Sequence, residues 1–130
     1  MIRIPVKDLA KLRIPADKLG RVGRGRRPVQ DMNGLEQEYA NLLELRRHAG
    51  EILWWVFEGM TFKLADNTRY TPDFALMLAS GEIEIHETKG HWEDDARVKI
   101  KVAAALFPFR FVGICKRPKK DGGGWAMEEF

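Results

Sequence analysis

The chain has 130 residues, 45% of them hydrophobic, and a net charge of +3. That is enough chain for one domain with a core of its own. No apolar run reaches the roughly 18 residues of a membrane span, and the N-terminus lacks the apolar stretch of a secretory signal. Cys115 is the single cysteine, so no internal disulfide can form, and within FRFVGICK it reads as a core residue. These features predict a cytoplasmic protein with no membrane partner.

The charge is unevenly spread. Residues 1–30 hold nine Lys/Arg against two Asp, a net +7, whereas residues 31–130 hold thirteen against seventeen, a net −4. A basic arm over 1–30 thus precedes a mildly acidic folded domain over 31–130. Gly20, Gly23 and Gly25 alternate with Arg21, Arg24, Arg26 and Arg27, a flexible cationic pattern. Such an arm suits a polyanion, because phosphate contacts supply most non-specific affinity for nucleic acid.

A helix is predicted from Gly34 to Ala49. Asn33 is a good N-cap, Glu36 stands at the capping-box position, and Gly50 is a natural stop. Leu35, Tyr39, Leu42 and Leu45 or Arg46 follow helical spacing. ILWWVFEG and MTFKLA read as strands, being rich in aromatic and β-branched residues. Of the adjacent Trp54 and Trp55, one should face the core. Asp66-Asn67 marks a turn. RYTPDFALML reads as a third strand with Pro72 near its start. Ala79-Ser80-Gly81 is a short hairpin loop, and EIEIHETK is the fourth strand. A second helix is expected from Glu93 to Leu106, with acidic residues in its first turn and a core stripe of Val98, Val102 and Leu106. FRFVGIC is a further strand, KRPKKDGGG a basic loop, and WAMEEF a last edge strand. The order helix, strands, helix, strand predicts an α/β domain with a central mixed β-sheet flanked by helices.

Phosphodiester hydrolysis near neutral pH requires an activated water and neutralisation of charge on the transition state. A hard divalent cation held by carboxylates supplies both, and a nearby lysine adds charge stabilisation. Asp73 and Glu87 stand 14 positions apart across a tight loop, so an antiparallel hairpin brings them together. Ile83, Ile85, Glu87 and Lys89 share one strand face by parity, which changes from apolar to polar within about 7 Å. His86 has the opposite parity and should face away.

Pro72-Asp73 followed by Glu87-Thr88-Lys89 resembles the signature of the PD-(D/E)XK nucleases, the restriction-endonuclease-like superfamily. Tyr70-Thr71-Pro72-Asp73-Phe74 and Ile85-His86-Glu87-Thr88-Lys89-Gly90 are similar to words in its small phage-encoded endonucleases, a group related to Holliday-junction resolvases. The resemblance covers about residues 33–130. It implies a restriction-endonuclease-like core and a Mg²⁺-dependent endodeoxyribonuclease, phage- or prophage-related and acting in the host cytoplasm. It also implies selectivity for branched DNA and a homodimer. Asp73 and Glu87 would bind Mg²⁺ or Mn²⁺ with the Thr88 carbonyl, and Lys89 would contact the attacked phosphate or the attacking water. A helix glutamate often completes such sites. Glu36 matches that position better than Glu38, which points roughly 200° away around the helix. His91, Arg97 and Lys101, with Arg24, Arg26 and Arg27 of the arm, are the expected DNA contacts. Trp92 is open to base stacking or packing, and Lys116, Arg117, Lys119 and Lys120 form a second basic cluster. The alternative is a non-catalytic nucleic-acid-binding module on the same fold.

Overall fold

The computed structural model describes residues 32–130, so the basic arm, with Arg24, Arg26 and Arg27, lies outside the described residues. Two helices and seven strands follow: α1 (Gly34–His48), β1 (Ile52–Phe57), β2 (Phe62–Ala65), β3 (Thr68–Tyr70), β4 (Phe74–Leu78), β5 (Ile83–Lys89), α2 (Asp94–Leu106), β6 (Arg110–Lys116) and β7 (Trp125–Glu129). The main sheet runs β1-β4-β5-β6-β7, and β2 and β3 form a separate hairpin. β5 and β6 are parallel and the other neighbours antiparallel. The sheet is therefore mixed, and α2 is the crossover that any parallel pair requires. No helix among the described residues is long and apolar enough to cross a membrane.

The two faces of the sheet carry separate cores. On one, Tyr39 and Leu43 of α1 pack with Trp55, Phe57, Phe74, Leu76, Val112 and Ile114. On the other, Ile100 and Ala103 of α2 pack with Phe62, Tyr70, Ala75, Ile85 and Phe111. Trp55 joins the first and donates its indole N–H to Glu44 at 2.8 Å, while half-buried Trp54 leans on the second. A register shift between Ile52 and Trp54 gives β1 one residue more than its partner β4. Cys115 is half-buried.

α1 begins at the expected capping box: Glu36 N–H donates to Asn33 Oδ1 at 2.8 Å, and Asn33 N–H to Glu36 Oε1 at 2.9 Å. It ends where Glu51 N–H reaches Arg46 O and Gly50 N–H reaches Arg47 O, a Schellman closure with Gly50 in the left-handed region at φ 81°.

Three expectations are corrected. The buried stripe of α1 keeps Tyr39 of the expected row but is otherwise Glu36, Ala40 and Leu43; Leu35 and Leu42 are half-buried and Leu45 is exposed. The helix is turned so that Tyr39 meets Phe74 and Trp125 edge-on. The stripe Val98, Val102 and Leu106 faces away from the sheet, with Val98 58% and Leu106 56% exposed. The bulk on that side comes instead from Phe62, whose ring meets Phe107, Phe109 and Phe111, so the helix approaches through small Ala103 and Ile100. Finally, RYTPDFALML is two strands. Thr71-Pro72-Asp73 separates β3 from β4, because proline removes a ladder donor.

Candidate active site

The β4–β5 hairpin sets the centre of the site. Its loop closes with Gly81 N–H on Leu78 O and Gly81 at φ 88°. Phe74 pairs with His86 and Ala75 with Ile85; one step further, the same register sets position 73 opposite 87. Asp73 N–H donates to Glu87 Oε2 at 3.1 Å. Asp73 and Glu87 are only 8% and 6% exposed. Two carboxyl groups are thus held together at the mouth of the hairpin, in surroundings that disfavour charge.

Protein donors fix both groups. Asp73 Oδ2 accepts from Thr88 N–H at 2.9 Å and Thr88 Oγ1–H at 2.7 Å. Glu87 Oε2 also accepts from the Tyr70 hydroxyl at 2.8 Å, and Lys89 Nζ lies 3.3 Å from Glu87 Oε1. Burial, and then the charge of Glu87, push the Asp73 carboxyl up to about 8; the Thr88 bonds oppose this and the charge of Glu36 adds to it. Burial raises Glu87 as well, and Lys89, Tyr70 and the Asp73 amide offset only part of that. Burial and the charge of Glu87 also raise Tyr70, so its hydroxyl keeps its proton and donates.

The glutamate on α1 is where the rotated helix carries it. Glu36 is buried and its charge acts on Asp73, in addition to its part in the cap. Glu38 faces outward, with Lys116 Nζ on its Oε2 at 2.6 Å. Of the two helix glutamates, Glu36 lies on the buried side, where its charge acts on Asp73, and Glu38 lies on the exposed side.

Beside the pair opens a cleft of about 270 Å³ lined by Arg69, Tyr70 and Thr71 on the β3 side, Glu87 and Lys89 of β5, and Glu93, Asp95, Ala96 and Lys99 at the start of α2. His91 is exposed and outside this lining, as is Lys101. Arg97 is engaged within the fold: its guanidinium makes two bonds to Glu128, at 3.1 and 2.5 Å, and lies over Trp92 and Phe130. Trp92 is a packing residue. Its ring meets Phe130 edge-on and lies so close to Gly113 that a Cβ there would come within 2.5 Å.

His86 faces the other side of the sheet, as its parity requires. Tyr39 Oη lies 2.5 Å from His86 Nδ1, and His86 Nε2 lies 2.9 Å from Glu84 Oε1. Burial lowers the His86 pKa against the pull of Glu84. A neutral ring with its proton on Nε2 satisfies both neighbours. Burial raises Glu84, but the bonds from His86 and Arg110 outweigh it and hold its carboxyl below the usual range.

Sequence reasoning missed two side chains that hold the pair, the Tyr70 hydroxyl and the Thr88 hydroxyl, and two cations that line the cleft, Arg69 and Lys99. Tyr70, a hydroxyl-bearing aromatic three residues before Asp73, offered a signal; the cations offered none, because their positions depend on how β3 packs on α2.

Among the described residues, no three His, Cys, Asp or Glu side chains converge as a metal-holding group. The pair still has the donor chemistry for a hard divalent cation. Both groups offer oxygen, both are penalised when charged alone, and Asp73 Oδ1 carries no hydrogen bond from the described residues. Mg²⁺ is commonly held by one or two carboxylates, with water completing its shell. No family model matches the chain, and neither the curated proteins nor the solved structures provide a match.

Proposed function

We propose that this chain is a metal-dependent endodeoxyribonuclease on a restriction-endonuclease-like core. The observation that carries the reading is the buried Asp73–Glu87 pair with Lys89 against Glu87, at a cleft that Glu87 and Lys89 line. Asp73, Glu87 and the Thr88 carbonyl would hold Mg²⁺ or Mn²⁺, with Glu36 close enough to act on Asp73 through charge. When bound, the ion supplies Lewis acidity to the phosphodiester and makes water more acidic.

The chain's own residues do the rest. Thr88 fixes the direction of Asp73, and Tyr70 fixes Glu87. Lys89 supplies a compact positive charge beside Glu87 for the phosphate oxygens or the attacking water. The likeness of the motif words to phage endonucleases related to junction resolvases makes branched DNA the first substrate to try. Paired cuts in such DNA would call for a homodimer.

The test is Mg²⁺-dependent cleavage of supercoiled plasmid and of a four-way junction, with EDTA as control. Lys89→Ala should fold, retain Mg²⁺ binding by calorimetry, and cleave at least about a hundredfold more slowly. Lys89→Arg should rescue poorly, since a planar guanidinium does not replace a point charge. A folded Lys89→Ala protein that cleaves at the unmodified rate removes lysine from the mechanism. DNA binding without cleavage of any DNA form leaves a binding module on this fold.

A further inference from the structure

The oxygens of the carboxyl pair are not equivalent. Asp73 Oδ2 accepts both the N–H and the hydroxyl of Thr88, at 2.9 and 2.7 Å, while Oδ1 has no donor among the described residues. Glu87 Oε2 accepts the Tyr70 hydroxyl at 2.8 Å and the Asp73 N–H at 3.1 Å. Among the described residues, Glu87 Oε1 meets only Lys89 Nζ, at 3.3 Å. That contact is the longest of the set and comes from a half-buried ammonium on a flexible four-carbon stem, so it yields most easily. The two hydroxyls are fixed in their turn. Tyr70 packs in the core with Ile85, Ile100 and Phe111, and Thr88 is buried on β5, which has a strand on each side.

Each carboxyl group is thus pinned through one oxygen by two donors and offers the other. A group held in this way gives a cation one oxygen and resists turning both onto it. That difference separates two hard cations. Mg²⁺ takes single carboxylate oxygens at about 2.0–2.1 Å in an octahedral shell that keeps several waters, whereas Ca²⁺ accepts roughly six to eight oxygens and readily takes two from one carboxylate. We infer that Tyr70 and Thr88 are positioning residues whose hydroxyls set the preference of the site for Mg²⁺ over Ca²⁺, by limiting Glu87 and Asp73 to one oxygen each. The inference rests on the nuclease reading, which puts a divalent cation on this pair. Removing either hydroxyl loosens one carboxyl group. Mg²⁺ then loses a pre-set ligand, and Ca²⁺ gains access to a second oxygen of the same group.

The experiment titrates the full chain, without DNA, with Mg²⁺ and separately with Ca²⁺ in a calorimeter, and follows thermal unfolding of each metal-free variant. Tyr70→Phe and Thr88→Val each remove one hydroxyl and keep the bulk of the side chain. Loss of a partner that orients a metal ligand typically weakens metal binding by about 10–100-fold. Each variant should therefore bind Mg²⁺ at least about tenfold more weakly while Ca²⁺ affinity holds or rises, so that the preference for Mg²⁺ falls by that factor or more. Thr88→Ser keeps the hydroxyl and should keep the preference. Tyr39→Phe removes a buried hydroxyl on the other face of the sheet, where it meets His86, and should change neither affinity. Unchanged Mg²⁺ binding in the Tyr70 and Thr88 variants, or an equal loss for both ions, overturns the selectivity role and leaves the nuclease reading intact. Should Tyr70→Phe fail to fold, Thr88→Val decides alone. An unmodified chain that binds neither ion defeats the nuclease reading, and the inference with it.

Discussion

At the scale of single residues, the site is a case of charge held where charge is unwelcome. Asp73 and Glu87 are buried, adjacent and both raised. Between the ordinary carboxylate range near about 4 and the raised value of about 8, the folded chain keeps a proton that the unfolded chain has released. Stability of the metal-free protein should therefore fall as pH rises through that window. Asp73→Asn should remove the penalty, making the metal-free protein more resistant to urea at pH 8 and no more resistant at pH 4. A flat pH dependence in unmodified protein contradicts this electrostatic account. Mg²⁺ should oppose the loss, contributing about 2.7 kcal/mol at a hundredfold excess over its Kd. The catalytic expectation for Lys89 belongs to the same scale, because a single ammonium decides it.

At the scale of elements, the faces of the two helices are the informative feature. Ile100 is fully buried under the sheet and Val98 is exposed. Ile100→Ala should cost about 2–5 kcal/mol in chemical denaturation, whereas Val98→Lys should change stability by less than about 0.5 kcal/mol. The reverse order would mean that α2 lies with its valine stripe inward. Sequence periodicity favours that stripe because it scores branched residues as core. It gives no weight to an alanine that lets a helix approach a sheet crowded with phenylalanine rings. The same bias selects Leu35, Leu42 and Leu45 beside Tyr39 on α1, where the fold buries Tyr39 together with Glu36, Ala40 and Leu43. Local signals do better. The Asn33 capping box, the Gly50 stop, the Gly81 loop and the parity of Glu87, Lys89 and His86 each depend on a few neighbouring residues, and each is present in the fold. The approach of Asp73 to Glu87 is legible for that reason. The contact of Lys99 Nζ with the Arg69 carbonyl oxygen is not, because thirty positions and the packing of β3 on α2 separate them.

At the scale of the whole molecule, the sequence joins a +7 arm to a −4 domain. On the proposed nuclease reading, the arm would supply affinity and the domain the chemistry. A chain lacking residues 1–27 should bind DNA more weakly and with a flatter salt dependence, since fewer counterions are released, yet cleave at an undiminished rate once DNA is saturating. Unchanged affinity and slope would assign the arm another task, such as contact between subunits.

The extra residue in β1 shapes an open border of the sheet. Among the described residues, β1 ends the sheet, and its sequence ILWWVF is long, aromatic and uncharged, the kind of open edge that recruits strands from other molecules. At the opposite border, β7 carries Glu128 and Glu129, which are charged and tied to Arg97 and Arg110. β1 has no such charge. It has instead the register shift at Ile52–Trp54, and a bulge twists a strand and spoils a flat hydrogen-bonding border. Deleting Leu53 would restore regular pairing with β4 and flatten that border. Light scattering during refolding from urea should then rise well above that of the unmodified chain, even with native stability little changed; equal scattering would mean that the bulge gives no such protection.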